Sequence, residues 1–548
     1  MVVLLPWAPF IIATAVGLFL YDRVYGLSFL LAGFALFNRN FAYTHVEIGH
    51  FPIYVTECCL AAWGLSTLLR KRSEIAAAFR SIPPGLRVCW LGFLCVGLLS
   101  TARGLWLFPV ARVLRDSAMV YYSIAGLLLL AVHLPADRLR LLFRWVATAV
   151  FLRSLLCLMV AYAPPRMGEP LIVFYGQAAG GSLWIALSLL AALAFTGYWP
   201  ARAWMWLWMT ILLTELMGEA VRSSWTGFAA GAGVLVVFLL TQINARKLLL
   251  RVTATSTLML LLPGTVTYVL SSRYVRAPVP VVVPGNIEGN LFKLQESKQV
   301  LDPTLAGNRR ACTPWQSFQM KLRSFTQGSK SGNVMTRLLM WRNALSELFG
   351  VGLYSPSLRR SDLPQYHLPY TKTPPEVHVV EVHPAGLTGL PNDVVRIHFV
   401  EDGTIPPTSW LTPSRAVTVL FGIPFGKLFL PAEIIYCVVS PQRYDPHNSL
   451  IAVFYRMGAS GFVFFTGIVL IIYCRIWRIL KAGTLDPFWS GCLMTTGAGM
   501  TYHLVHSLTD NTLENAFKGL VFWLLVGLAI SIMRRAQRAE SNGQVIGS

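Results

Sequence analysis

The stretch MGASGFVFFTGIVLIIYCRIWRILK, residues 457–481, decides the fold class. It begins with eighteen residues that carry no charged side chain and ends with three basic residues. About 20 apolar residues are enough for a helix to cross the hydrocarbon core of a bilayer. Basic residues next to such a run are typical of the cytoplasmic side. The stretch therefore predicts a transmembrane helix whose C-terminal end faces the cytoplasm.

The whole chain has the same apolar character. Of its 548 residues 55% are hydrophobic and only 13% are charged, and the mean hydropathy is +0.56. In soluble domains about a quarter of the residues are charged. We therefore expect an all-α polytopic membrane protein. We expect no cleavable signal peptide, because the first apolar segment has no basic residues before it and a second apolar run follows directly.

Thirteen apolar runs are candidates for membrane spans. They are residues 7–21, 24–37, 50–69, 87–106, 117–134, 145–163, 171–197, 203–218, 225–241, 252–271, 457–474, 487–506 and 516–533. The first two runs are short and could form one span and a re-entrant piece. The sequence therefore predicts about 12–13 transmembrane helices.

Five basic segments orient these spans. They are residues 69–80, 136–144, 244–251, 474–481 and 533–538, and one threading places all five in the cytoplasm. This threading divides the chain into four parts. They are N-terminal transmembrane helices 1–271, a large periplasmic loop domain 272–456, C-terminal transmembrane helices 457–533 and a cytoplasmic tail 534–548.

The large loop is predicted to contain helices and a small β-like insert. Residues 364–413 alternate polar and β-branched side chains and are rich in proline, which favours short strands. Residues 415–440 are apolar enough to span, but the sequence FGIPFG interrupts them. We interpret this stretch as re-entrant or interfacial. If it crossed the membrane instead, the residues after it would change sides.

The formal charge of +21 does not indicate nucleic acid, because the basic residues are scattered over short loops. Part of the excess follows from the cytoplasmic bias, and the remainder on the outer side favours an anionic substrate. The nine cysteines have no metal-ligand spacing, so no metal site and no cofactor are predicted. Cys312 and Cys437 fall in the large loop and could pair if it is periplasmic.

The sequence DPHNSL, residues 445–450, precedes an apolar run. Asp445 is a good N-cap and Pro446 a good first helical residue. His447 would then lie in the first turn, where the helix macrodipole favours a neutral imidazole that can accept a proton. Gly458 follows at a spacing near three helical turns, so it would share the face of His447. A purely structural cap remains the alternative for His447.

Two arginines on the predicted outer side are further candidates. Arg222 precedes the small-residue stretch SSWTGFAAGAG, which suits close helix packing. Its alternatives are an ion pair with Glu219 or an interfacial arginine. Arg337 begins a segment with helical spacing at Leu338, Trp341, Leu345 and Leu348. An arginine at a helix start opposes the macrodipole, so a functional role competes with a solvated helix face.

These stretches, in this order, resemble the bacterial O-antigen ligase and O-antigen polymerase family. HNSLIAVFYRMG fits the family pattern of His, then Asn, Ser or Arg, then nine residues and Gly. RSSWTGFAAGAGVLVV is similar to the arginine-bearing span, and RLLMWRNALSELFGVGLYS is similar to the Arg-x-x-x-Trp and Gly-x-Gly loop helix. The resemblance covers about residues 200–535. The β-like insert and the large loop depart from the family pattern, and the acceptor is left open.

The resemblance implies a glycosyltransferase that uses neither metal nor nucleotide sugar. Its donor would be a glycan on undecaprenyl diphosphate, and its acceptor a hydroxyl of lipid A–core, of a growing polymer or of a protein. His447 would be the general base of an inverting reaction, and Arg222 and Arg337 would bind the diphosphate. Trp341, Asn448 and Asp510 are further substrate-binding candidates.

Weaker candidates are Arg103, Arg112, Arg115 and Arg166 for lipid or glycan contacts. Asp510, Asn511 and Glu514 either contact sugar hydroxyls or form an ordinary solvated turn. The competing class is a transporter or flippase of a lipid-linked glycan. A transporter usually carries charges in mid-span and has matched halves, whereas the candidates here lie at one predicted membrane face without repeat symmetry. Ligase and polymerase differ only in the acceptor, and both remain open.

Overall fold

A computed structural model describes the chain in several segments. They are residues 4–37, 39–48, 51–132, 134–162, 222–241, 341, 344–345, 348–349, 357–359, 377–384, 394–401, 415–426, 448–508 and 511–541. This part of the chain is mostly helical. Cys312 and Cys437 lie outside it, as do the predicted runs 171–197, 203–218 and 252–271.

The described helices follow the apolar runs of the sequence. They are α1 (Ala8–Tyr21), α2 (Arg23–Phe37), α3 (Arg39–Ala42), α4 (Val55–Arg80), α5 (Pro84–Leu107), α6 (Val110–Asp116), α7 (Ala118–Tyr121), α8 (Ser123–Leu130), α9 (Ala136–Tyr162), α10 (Arg222–Leu240), α11 (Arg415–Phe421), α12 (Ser449–Ala482), α13 (Pro487–Ser507) and α14 (Ala516–Ser541). Ten of the thirteen predicted runs are thus helical over most of their length. A helix satisfies its own backbone polar groups, which an apolar surrounding cannot do.

Three of these helices are long and apolar enough to cross a membrane. They are α5, α12 and residues 516–538 of α14. A fourth candidate is the pair formed by α6 and residues 118–130, which is bent by 50° at Ser117. The predicted run 117–134 therefore corresponds to the second helical part of a bent pair, which is either a broken span or a re-entrant loop, and not to a straight helix of its own. α1 and α2 are separate helices that meet at Asp22, in agreement with the short runs at this position.

Two small antiparallel sheets accompany the helices. β1 (His45–Ile48) pairs with β2 (Phe51–Tyr54), where the sequence predicts the start of a span. β3 (Ser357–Arg359), β4 (Val377–Pro384) and β5 (Val394–Glu401) form a second sheet in the order β3-β5-β4. β4 and β5 confirm the predicted β-like insert at residues 364–413, and β3 extends it on the N-terminal side.

The core lies where α5, α8, α12 and α14 pack together. Trp90, Phe93, Phe465 and Trp523 form an aromatic cluster with ring centroids 5.5–6.1 Å apart. α5 runs antiparallel to α12, because Gly92 packs on Phe464 whereas Gly97 packs near Met457. Small residues at such crossings let helix backbones approach closely.

Four of the five predicted basic segments lie together at one end of this bundle. Arg535 donates to the Leu134 carbonyl at 2.7 Å and lies 4.3 Å from the Trp489 ring, so the ends of α8, α13 and α14 meet. Arg140 lies over Phe488, and Arg87 donates to the Ile82 carbonyl. We call this the basic end. The fifth segment, residues 244–251, lies outside the described residues.

Candidate functional site

The first turn of α12 begins at Ser449, with Asn448 as its N-cap. The Asn448 Oδ1 accepts from the backbone N–H of Leu450 at 3.0 Å and of Ile451 at 3.1 Å. Its Nδ2 donates to the Leu508 carbonyl at 3.0 Å. The predicted cap at Asp445 is therefore wrong. Asn and Asp are equally good caps, and Asn448 gains a third bond to another helix end.

His447 consequently precedes the cap instead of lying in the first turn. His447 itself lies outside the described residues, as do Arg337, Asp510 and Arg166. Asn448, the residue that follows His447, is buried, with 5% of its surface exposed. The position of the helix start within the bundle is therefore defined. We call the end of the bundle around this cap the Asn448 end.

Ser449 joins the start of α12 to the turn between α13 and α14. Its Oγ donates to Glu514 Oε2 at 2.5 Å and accepts from the backbone N–H of Thr512 at 2.8 Å and of Leu513 at 3.0 Å. Glu514, a predicted candidate for sugar contacts, is thus engaged in holding this turn. Three bonds at one buried hydroxyl make the turn and the helix start a single unit.

α13 ends in two buried histidines beside this turn. His506 Nδ1 lies 3.0 Å from Thr512 Oγ1. His503 is 1% exposed, and neither of its ring nitrogens has a hydrogen-bond partner in the described part of the chain. His503 is not among the site residues predicted from the sequence. The spacing of two histidines by three residues in the apolar run TYHLVHS was the available signal.

The start of α10 lies at the same end of the bundle. Gly227 packs against Tyr502 and Phe238 packs against Gly497, so α10 runs antiparallel to α13. Arg222 lies five residues before Gly227, and Ser507 lies five residues after Tyr502. With a rise of about 1.5 Å per residue, both are about 7.5 Å beyond that contact. The backbone of Arg222 is therefore level with the last turn of α13, and its side chain lies outside the described part of the structure.

The predicted loop helix packs on the first turns of α12. Trp341, Ala344, Leu345, Leu348 and Phe349 adopt helical conformation. Ala344 and Leu348 are buried in a cluster with Ile423 and Tyr455, and Trp341, Ile451 and Phe454 pack against this cluster. The Phe349 and Phe454 rings lie 6.1 Å apart. The helical spacing predicted from Trp341 and Leu348 is confirmed, and it brings Trp341 to the Asn448 end.

α12 bends at Gly458, against the FGIPFG sequence. Gly458 has φ 65° and ψ −168°, and Gly422, directly after α11, has φ 75°. A Cβ on Gly458 would lie 2.5 Å from the Gly422 nitrogen, and the Ile423 N–H donates to the Tyr455 carbonyl at 2.7 Å. The prediction that Gly458 shares a regular helix face with His447 is wrong, because another backbone crosses at this point. The predicted break in residues 415–440 is confirmed; residues 427–447 lie outside the described part, so re-entrance stays a prediction.

A buried ion pair lies below this crossing. Arg456 Nη2 is 2.8 Å from Asp116 Oδ2, and the two side chains are 3% and 9% exposed. The Gly426 N–H also donates to Asp116 Oδ2, at 2.7 Å, and Arg456 Nη1 donates to the Pro424 carbonyl at 3.1 Å. The pair therefore connects α6, the FGIPFG turn and α12. Neither residue was among the candidates predicted from the sequence, although a charged residue directly before an apolar run is itself a signal.

Known proteins do not identify this arrangement. No family model matches the chain, and no curated protein matches it either. Among the described residues, no group of three His, Cys, Asp or Glu side chains is placed to hold a metal ion. The Asn448 end is therefore interpreted from its own residues.

Proposed function

We propose that this chain transfers a glycan from undecaprenyl diphosphate to an acceptor hydroxyl, as a multi-pass protein of the bacterial inner membrane. The reacting end would be the Asn448 end, facing the periplasm, and the basic end would face the cytoplasm. One observation supports this assignment most. Three stretches far apart in the sequence, namely the start of α10, the Trp341 helix and the start of α12, lie at one end of the bundle.

The proposed reaction exchanges one C–O bond for another. The acceptor oxygen attacks the anomeric carbon, and its proton passes to the imidazole of His447. The bond from the anomeric carbon to the diphosphate oxygen breaks on the opposite side, which inverts the configuration. Undecaprenyl diphosphate leaves with the bonding electrons. Arg222 and Arg337 would stabilise the charge that develops on it, since guanidinium groups bind phosphate oxygens bidentately.

Asn448 takes a positioning role in this proposal. Its amide oxygen accepts two backbone bonds and its nitrogen donates to Leu508, so little of the group remains for an acceptor sugar. Instead, these three hydrogen bonds hold the backbone at Asn448, and His447 is the residue directly before it. We propose substrate contacts for Trp341 and Asp510, and the acceptor remains a glycan, lipid A–core or a protein hydroxyl.

The test of the base is His447→Ala in purified full-length protein, assayed with an undecaprenyl-diphosphate-linked glycan. General-base catalysis contributes about 10²- to 10⁴-fold, so we expect kcat to fall by at least about 100-fold. His45→Ala is the matched control. His45 is a histidine of the β1–β2 hairpin that packs on Tyr54, and it has no role in the proposed transfer. Transfer at the normal rate by His447→Ala would contradict the proposal.

The clamp is tested by Arg222→Gln and Arg337→Gln, each against Arg138→Gln at the basic end. Losing one preorganised donor to a developing anion costs about 10²- to 10³-fold in kcat. Arg138, which pairs with Asp22 at the surface, should leave the rate unchanged. Equal rates for all three variants would remove the two arginines from the mechanism. Glycan analysis of a deletion strain then separates the acceptors: shortened polymer indicates a polymerase, and accumulated long lipid-linked polymer a ligase.

A further inference from the structure

A groove lies between α10 and α12, toward the basic end of the bundle. Both helices pack on α13 more than on each other, so they leave a cleft between them. Its volume is about 400 Å³, and ligand pockets usually measure about 300–1,000 Å³. The lining includes Val237 and Phe238 of α10 and Tyr473, Cys474, Trp477 and Arg478 of α12.

The walls of this groove are apolar. Phe238 is buried at the floor, where a Cβ on Gly497 of α13 would lie 2.6 Å from the Phe238 ring. The Tyr473 hydroxyl is engaged by α13, because it donates to the Gly497 carbonyl at 3.0 Å and lies 2.6 Å from Thr501 Oγ1. The part of Tyr473 that is left for a ligand in the groove is therefore its ring.

The groove carries its charge at one end. Arg478 is the one charged residue among the described residues that line it. α10 and α12 both run antiparallel to α13, so their C-terminal ends lie at the basic end. At a rise of about 1.5 Å per residue, Arg478 is about 7.5 Å nearer to that end than Tyr473. A cation at one end and apolar walls toward the middle of the bundle match an amphipathic ligand.

This cation lies where a lipid headgroup is expected. α12 is one of the candidate spans, and its predicted apolar run ends at Cys474. Trp477, which is 43% exposed, and Arg478 follow within the next helical turn. Tryptophan and arginine at the end of an apolar span are typical of the level of lipid headgroups. The groove therefore extends from this level into the apolar part of the span.

The charge of Arg478 has no counter-ion in the described part of the chain. Arg478 is exposed, and no hydrogen bond or ion pair joins it to another described residue. Its neighbour Arg475 is close enough to interact with it electrostatically. Two neighbouring cations repel each other, so an anion beside them is stabilised. The ligand that fits both the charge and the apolar walls is an anionic lipid.

We propose that this groove binds an anionic phospholipid, with the phosphate at Arg478 and one acyl chain between α10 and α12. The guanidinium fork binds phosphate oxygens bidentately, and the acyl chain contacts Val237, Phe238 and the ring of Tyr473. The source is the bulk phospholipid of the leaflet at the basic end. The site uses none of the residues of the proposed transfer, so it is independent of that proposal.

The test maps phospholipid contacts on the full-length protein in phosphatidylcholine nanodiscs. The probe is phosphatidylglycerol with a diazirine in one acyl chain, added over a range of concentrations. We expect labelled peptides that contain residues 234–238 and 473–478. Arg478→Gln should weaken this labelling about fivefold, which is the contribution of one arginine at an anionic lipid surface. Arg138→Gln, at the same end but outside the groove, is the charge-matched control and should leave the label unchanged.

A second variant tests the groove without changing the charge. Cys474 is exposed, so Cys474→Phe places a ring in the groove without disturbing the core. It should abolish the labelling of residues 234–238. Cys95→Phe is the matched control, because Cys95 is an exposed cysteine of α5 that does not line the groove. If Arg478→Gln does not fold, this pair of variants still tests the site.

Three results would overturn the site. The first is label spread evenly over the exposed apolar helices, as expected for bulk lipid. The second is unchanged groove label in Arg478→Gln or in Cys474→Phe. The third is equal groove labelling by phosphatidylcholine that carries the same diazirine, because the groove would then not recognise an anionic headgroup.

Discussion

Two ion pairs of equal length lie at opposite ends of the molecule. Arg456 and Asp116, near the Asn448 end, are 2.8 Å apart with side chains 3% and 9% exposed. Arg138 and Asp22, at the basic end, are also 2.8 Å apart but are 52% and 23% exposed. The N···O distance alone therefore does not distinguish the stabilities of the two pairs. Water screens the second pair, whereas the first depends on its partners to compensate for its lost hydration.

This contrast extends to the other arginines of the two ends. At the basic end Arg535 reaches the Leu134 carbonyl and the Trp489 ring, both near helix ends. Such contacts stabilise helix termini locally. Near the Asn448 end Arg456 instead joins α12 to Asp116 and to the Pro424 carbonyl. At the basic end the arginine contacts lie at helix termini, whereas near the Asn448 end Arg456 connects three segments of the chain.

The largest expected effect follows from breaking the buried pair. Arg456→Ala leaves Asp116 buried without its cation, which costs about 3–5 kcal/mol of unfolding free energy. Arg138→Ala should cost about 0–1 kcal/mol, because its pair is exposed. The measurement is thermal unfolding of both variants in the same detergent.

A double substitution sharpens this comparison. Arg456→Leu combined with Asp116→Leu removes both charges, so it should be more stable than Arg456→Ala alone. Equal destabilisation by Arg456→Ala and Arg138→Ala would show that burial does not distinguish the two pairs. The comparison of the two ends would then lose its energetic basis.

The second effect concerns two glycines. Gly458→Ala places a Cβ at positive φ against the backbone of Gly422, so we expect a loss of about 2–4 kcal/mol from the left-handed conformation and the overlap. Gly17 lies in α1, away from this crossing, and a Cβ there would meet no atom within 4 Å. Gly17→Ala should be neutral or stabilising by up to about 1 kcal/mol. Thermal unfolding measures both, and similar melting temperatures would exclude the crossing as a constraint.

The helices could be predicted from the sequence, because each apolar run carries its own signal. The β-like insert was predicted from alternation at residues 364–413, and β4 and β5 confirm it. The β1–β2 hairpin was not predicted, because HVEIGHFPIY runs directly into the apolar start of α4. Patterns within one segment thus predict its type better than its boundary.

The candidate site was predicted only in outline. The order of three motifs predicted that the starts of α10 and α12 and the Trp341 helix form one site. The described residues of these segments lie at one end of the bundle, and the site itself stays a prediction. The cap was assigned to Asp445 because no local pattern includes the bond from Asn448 to Leu508. The Arg456–Asp116 pair joins residues far apart in the chain, so it depends on tertiary packing that a single sequence does not display.

The smallest effect compares the N-caps of two neighbouring helices. Asn448 caps α12 at the Asn448 end, and Asp486 caps α13 at the basic end by accepting from the Trp489 N–H at 3.0 Å. Replacing either by alanine should cost about 1 kcal/mol of stability. If the proposed transfer is correct, Asn448→Ala should also lower kcat with KM nearly unchanged, because it loosens the backbone that carries His447.

Asp486→Ala should lose the same stability and keep its kcat, since no candidate residue adjoins it. Asn448→Asp separates the two roles of the asparagine. The carboxylate still accepts from Leu450 and Ile451, so stability should return, whereas the donor to Leu508 is lost and kcat should recover only in part. If Asn448→Ala and Asp486→Ala lowered kcat equally, the loss would follow from general destabilisation. The result would then contradict a catalytic role of the Asn448 end.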